Sequence, residues 1–262
     1  MEMLSKTVNH VQWNQFIALE EDFVASLRYV ELCESNLKTY STEYAKLLLA
    51  AGSEIDVGLK QIYSLLTHKS SENKGICACK TALLDYERKA GEDVIRLSDI
   101  AVGIKNNEVL IFPWDAWRGE AKENPIWWDN YNDVKHQRAE RFDLANLENV
   151  LFAFAGLEAI LVTYYRLAGA ITIIPAAKHF RLPPAVAAPA DFPGGVSGFR
   201  VDENHIREYV QGGQAMFELL LGGMSGPMPD FSVQRVLIPD RGFVKYDDCR
   251  NEGEQAGEGI SG

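Results

Sequence analysis

Trp127-Trp128-Asp129-Asn130-Tyr131-Asn132-Asp133-Val134-Lys135-His136-Gln137-Arg138 sets two indoles, three amides, a histidine and cations at the opening of a long apolar pattern. Downstream of it, Phe142, Ala145, Leu147, Val150, Leu151, Phe154, Leu157, Ile160, Leu161 and Tyr164 recur at helical spacing and nearly encircle the helix toward its carboxyl half. That distribution belongs to a central helix rather than a surface one. A fourth long helix is therefore expected over 126–169, with Pro125 closing the segment before it and the carboxyl half forming the buried centre.

The residues upstream supply the partners of such a helix. Phe16, Leu19, Phe23, Leu27, Tyr29 and Val30 fall at helical spacing with no proline between them, which predicts helix 1 over 15–37. Ser41 is a candidate N-cap, and Tyr44, Leu47, Leu48, Ala51, Ile55, Leu59 and Ile62 follow on one stripe, predicting helix 2 over 42–66. After the polar loop 69–75, Leu83, Leu84 and Tyr86 mark a short helix 3 from Cys79 to Ala90.

Between 91 and 125 the pattern changes. Val94-Ile95-Arg96-Leu97 and Val109-Leu110-Ile111-Phe112-Pro113 flank the turn signal Lys105-Asn106-Asn107-Glu108 and read as short extended segments, a small β insertion in a helical frame. Past Pro175 the chain turns rich in Pro, Ala and Gly, with one amphipathic helix expected over 203–221 and a strand over 231–237. The expected organisation is mainly α: a helical domain over 15–170 containing the 91–125 insertion, an irregular carboxyl-terminal extension over 171–250, and a Gly/Glu tail over 251–262 expected to be disordered.

The net charge of -11 excludes a protein that blankets nucleic acid with a net basic surface, and leaves room only for a local cationic cluster. Among the four cysteines only Cys77 and Cys79 are close, and one intervening residue is short of the spacing of metal knuckles and thiol redox motifs, so no metal is expected. Glu2, Lys6, His10 and Glu20-Glu21-Asp22 break any apolar run at the amino terminus; no secretory signal and a cytoplasmic location are expected. The longest apolar run, Val150 to Pro175, contains Glu158 and Arg166, each costing a few kcal/mol at a bilayer centre, so a core helix rather than a membrane span is expected.

Two long helices, a short third and a fourth opening with Asn-x-x-Lys-His-x-Arg resemble the HEPN superfamily, helical-bundle proteins found in RNA-cutting toxins, defence proteins and nucleotide-binding relatives. The similarity covers roughly 15–170 and is carried by Arg28-Tyr29-Val30-Glu31, Glu43, Ser53-Glu54-Ile55-Asp56 and Tyr131-Asn132-Asp133-Val134-Lys135-His136. It implies a four-helix bundle, a homodimer, and a cytoplasmic stress or defence role in binding RNA or a nucleotide, with no cofactor. Active members carry an arginine, often followed by asparagine, and then a histidine; here Asn132 and His136 match, while Tyr131 stands in the arginine position.

That difference bears on chemistry. In metal-independent RNA cleavage a histidine moves a proton while a cation steadies the developing charge, which tyrosine does not supply. The resemblance assigns His136, Asn132, Lys135 and Arg138 as the catalytic candidates, with Arg141 as a further nearby cation. Trp127, Trp128, Tyr131, Arg141, Glu54 and Asp56 are the ligand-binding candidates. Two blander readings stand beside these. His136 bonding Glu54 or Asp56 would simply fix a packing angle in a catalytically inert dimeric interaction module. And Trp114, Trp117, Trp127 and Trp128 would be the small core anchoring the insertion rather than a stacking platform.

Overall fold

The structure is a computed structural model describing residues 11–91, 94–104, 109–118, 123–168, 177, 179–180, 235–238 and 242–245. The expected helix over 203–221 and tail over 251–262 lie outside them. Among the described residues there are five α-helices: α1 (Val11–Ser26), α2 (Thr42–Thr67), α3 (Ile76–Ala90), α4 (Ile126–His136) and α5 (Leu147–Leu167). The chain is mainly α, as its periodicities predict.

α2 and α5 form the central pair, and α1, α3 and α4 pack against it. α5 is buried without interruption from Leu147 to Thr163, in keeping with the central position read from its sequence. It is long and apolar enough to cross a bilayer, and 83% of its most apolar window is buried inside the protein. Close approach of the helices depends on missing side chains. A Cβ on Gly52 of α2 would lie 2.3 Å from the Tyr131 ring of α4, and one on Gly156 of α5 would lie 2.9 Å from the Trp127 ring.

α2 starts where its cap predicts. The Ser41 side chain accepts a hydrogen bond from the backbone N–H of Tyr44 at 3.0 Å, satisfying one of the orphan donors of the first turn. Two helices differ from expectation. α1 begins earlier and ends at Ser26 rather than 37, because the following segment leaves the helix to serve another element: Cys33 is extended, and the Leu37 and Thr39 carbonyls accept from the N–H groups of Glu148 and Leu147 at 2.9 and 3.0 Å.

The expected helix over 126–169 is two helices. α4 ends at His136, residues 137–145 form a compact turn, and Asn146 opens α5 as an N-cap, its side chain accepting from the Asn149 N–H at 3.0 Å. The break is fixed by tertiary contacts: Tyr40 bridges Asn146, the Ser41 N–H donates to Ala145 O at 3.3 Å, and Asn149 Nδ2 donates to Leu144 O while its Oδ1 accepts from Asn130. Asn146 and Asn149 are both buried, so each amide needs these partners. Replacing Asn146 with Ala is expected to lower stability by about 1–2 kcal/mol in urea or guanidinium unfolding, through loss of the cap acceptor.

The insertion forms β1 (Val102–Ile104) and β2 (Val109–Ile111), antiparallel, with Val102 opposite Ile111. The carboxyl-terminal region adds β3 (Arg235–Ile238) and β4 (Gly242–Lys245), giving a four-stranded sheet in the order β1-β2-β3-β4. β2 and β3 are parallel, with Leu110 opposite Val236, and β3 and β4 are antiparallel. Of the strand expected over 231–237, residues 235–237 are in β3 and complete the sheet of the insertion, and residues 231–234 lie outside the described residues. Val94 to Leu97, read as extended, leads instead into a 3-10 turn over Leu97–Asp99.

Candidate functional site

Every candidate of the opening motif lies on α4 or the turn after it, and burial divides them sharply. Trp127, Trp128 and Tyr131 are core residues, 1%, 5% and 2% exposed. The Trp127 Nε1–H donates to Pro113 O at 2.7 Å, and its ring stands edge-on to Trp114 and Trp128 at centroid distances of 5.1 and 5.9 Å. Trp114 donates in turn to Gly156 O at 3.1 Å and stacks tilted on Trp117 at 4.5 Å. The indoles therefore tie the β insertion to α4 and α5, and they offer no open face for a base.

Tyr131 packs into the space left by Gly52. Tyr131 is therefore a buried ring facing α2. Asn132 turns back on its own helix, donating through Nδ2 to Trp128 O at 2.9 Å. Glu54 and Asp56 sit elsewhere, on α2. Burial pushes the Glu54 carboxyl up, and Asp56 accepts from Lys60 at 2.6 Å, one helical turn away on the same helix. The packing role in which His136 bonds Glu54 or Asp56 is not what is observed.

The polar remainder of the motif faces outward. Lys135, His136 and Arg138 are exposed, and neither His136 nor Arg138 forms a side-chain bond to a described residue. Lys135 Nζ lies 5.5 Å from the centroid of the Tyr131 ring, a cation–π contact that draws the ammonium back along the helix. Arg141 reaches back to Asp133 at 3.4 Å. Both His136 and Lys135 lie in the last turn of α4, where the helix carbonyl ends favour positive charge. The compact turn holds Arg138 on the same end: the Glu140 and Arg141 N–H groups both donate to Gln137 O at 3.0 Å. His136, Lys135, Arg138 and Arg141 thus follow one another at the exposed end of α4, and among the described residues none of them pairs with Glu54 or Asp56.

Two buried acidic centres lie outside the motif. Glu158 of α5 is 2% exposed, and its Oε2 has no hydrogen-bond partner among the described residues. Burial, reinforced by the nearby charge of Glu20, pushes its carboxyl up to about 8. Glu20 itself, on α1, accepts from the backbone N–H groups of His179 and Phe180 at 2.6 and 2.9 Å and so anchors that segment, with Phe180 stacked on Phe154 at 5.4 Å. Glu87, near the end of α3, accepts from the Leu97 N–H at 2.8 Å; burial raises it to about 7. Asp99 beside it is held by Arg118 at 2.6 Å. In the sequence, Glu158 signals only that an apolar run is interrupted; its partner Glu20 is far away in the chain and leaves no local trace.

Among the described residues no group of three or more His, Cys, Asp or Glu is placed to hold a metal ion. Cys79 is buried and its thiol is pushed up by that burial, the opposite of a reactive or metal-binding cysteine. No known protein family, characterised protein or solved structure matched this chain when it was compared with them.

Proposed function

We propose that this chain is a HEPN-like helical protein that binds RNA or a free nucleotide through the end of α4, and that it does not cleave what it binds. One observation carries the reading: His136 and Arg138 stand exposed beside Lys135 with no side-chain bond to a described residue, while the arginine position of the motif is filled by the buried ring of Tyr131. Exposed cations contact phosphates. Cleavage would need a cation at the arginine position of the motif, where Tyr131 stands; of the cations near His136, Lys135 is drawn toward that ring and Arg141 toward Asp133. A homodimer would set a second copy of Lys135, His136 and Arg138 alongside the first, which matters because Asp133, Glu140 and Asp143 offset the cations within one copy.

The test is incubation of the purified protein with mixed structured and single-stranded RNA in EDTA, reading cleavage and filter retention together. Retention without cleavage is expected. His136→Ala and Arg138→Ala should each weaken retention several-fold and leave unfolding free energy within about 0.5 kcal/mol, as for exposed positions generally. Cleavage by the wild type would overturn the non-cleaving assignment, and absence of retention would overturn binding. A clear loss of stability in His136→Ala would favour the inert interaction module in which the motif is structural.

A further inference from the structure

Beside the exposed cations lies an aromatic pair that the motif does not include. Tyr40 precedes the N-cap of α2 and is 55% exposed. Phe142, which opens the 3-10 turn directly after Arg141, meets it edge-on, with centroids 5.9 Å apart and planes at 86°. In such a T-shaped pair at most one face of each ring is occupied.

The backbone under Tyr40 is fixed on both sides. Tyr40 itself bridges Asn146, Ser41 donates to Ala145 O at 3.3 Å, and Thr39 accepts from the Leu147 N–H at 3.0 Å. Packing of the turn before α5 against the start of α2 accounts for the edge-on contact with Phe142 and for the strap. It does not account for a tyrosine ring left more than half exposed on an immobilised backbone, against a residue four positions from the exposed Arg138. From Arg138 to Phe142 the chain reaches at most about 14 Å, so the aromatic pair and the cations belong to one end of the molecule.

We infer that Tyr40, backed by Phe142, stacks an unpaired nucleobase, and that the nucleic acid bound here is single-stranded RNA whose phosphates run over Arg138 and His136. This rests on the binding reading above and adds to it a base-contacting residue and a substrate class. Bases in a duplex are already stacked on one another and are closed to a tyrosine, whereas single strands are held by aromatic stacking combined with a cationic track. Stacking is indifferent to base identity, so little sequence preference is expected.

The experiment is fluorescence anisotropy of the full chain with a short labelled oligouridylate, alone and annealed to its complement. It is run on wild type, Tyr40→Phe, Tyr40→Leu, Tyr40→Ala and Arg138→Ala, at about 50 mM salt and upward. Wild type and Tyr40→Phe should bind the single strand alike and the duplex more weakly. Tyr40→Leu and Tyr40→Ala should raise Kd by about tenfold, the size expected for one lost base stack. Tyr40→Leu keeps an apolar contact for Phe142, so it reads the ring face even if the alanine variant melts early. Arg138→Ala should reduce the slope of log K against log salt by about 0.7. If both Tyr40 variants bind like wild type while Arg138→Ala weakens binding, the stacking inference falls and the binding reading stands. If the duplex binds as well as the single strand, the substrate class is overturned. If no oligonucleotide binds at any salt, both fall.

Discussion

Trp127→Ala should destabilise the protein by about 3–5 kcal/mol, the range for truncating a fully buried tryptophan. Three consequences of the substitution add up in one place. The ring wedged against Gly156 disappears and leaves a void between α4 and α5. The edge-on contacts to Trp114 and Trp128 are lost. And the buried Pro113 carbonyl loses its donor at 2.7 Å, an orphaned acceptor that alone costs about 1–3 kcal/mol. Against a total stability of about 5–15 kcal/mol this is a large fraction. Denaturant unfolding followed by circular dichroism measures it. A loss below about 1 kcal/mol would mean that the indole cluster is not the joint between the insertion and the helices.

Thermal stability of the wild type should fall as pH rises from 5 to 9, and Glu158→Gln should remove most of that fall. The sign follows from proton binding. Glu158 has its usual value of 4.5 in the unfolded chain and is raised to about 8 in the fold, so over that window the folded state holds the extra proton. Stability is then fully present below 4.5 and declines by about 1.4 kcal/mol per pH unit as pH climbs toward 8, on the order of 5 kcal/mol in all. Glu87, raised to about 7, contributes in the same direction over the lower part of the range and should leave a residual slope in the variant. Melting curves at closely spaced pH values check this. An unchanged slope in Glu158→Gln would show that the carboxyl is not the group that titrates.

What the sequence made legible is local chemistry. The Ser41 cap and the stripe from Tyr44 to Ile62 sit in one stretch of chain, and α2 starts at the expected residue and ends one residue later. The uninterrupted apolarity after Leu147 likewise marks the central helix by itself. Where expectation failed, the cause was distant. α1 stops at Ser26 because residues 37 and 39 are needed to strap the start of α5, and a periodicity window does not contain residues 147 and 148. The break between α4 and α5 did leave a signal, Asn146 followed by Leu147-Glu148-Asn149, but apolar residues on either side of it continued the helical count.

The candidate site was half legible for the same reason. Asn132, Lys135, His136 and Arg138 are contiguous, and the structure keeps all but Asn132 on the surface, where it is half-buried and bonded to its own helix. Tyr131 was visible as a departure from the motif. That it fills the gap at Gly52 depends on two helices meeting, as does the pairing of Tyr40 with Phe142 from opposite sides of the fold's chain order.

The parallel pairing of β2 with β3 also imposes a timetable on synthesis. Val109-Leu110-Ile111 leaves the ribosome with β1 on one side, and its other edge waits for Arg235 to Leu237 to be made. At typical translation rates the wait is on the order of ten seconds. For that interval the nascent chain presents an apolar strand edge of the kind that pairs with other chains. A transcript truncated before β3 would make the condition permanent, so fragments ending near residue 170 should aggregate where the longer chain does not.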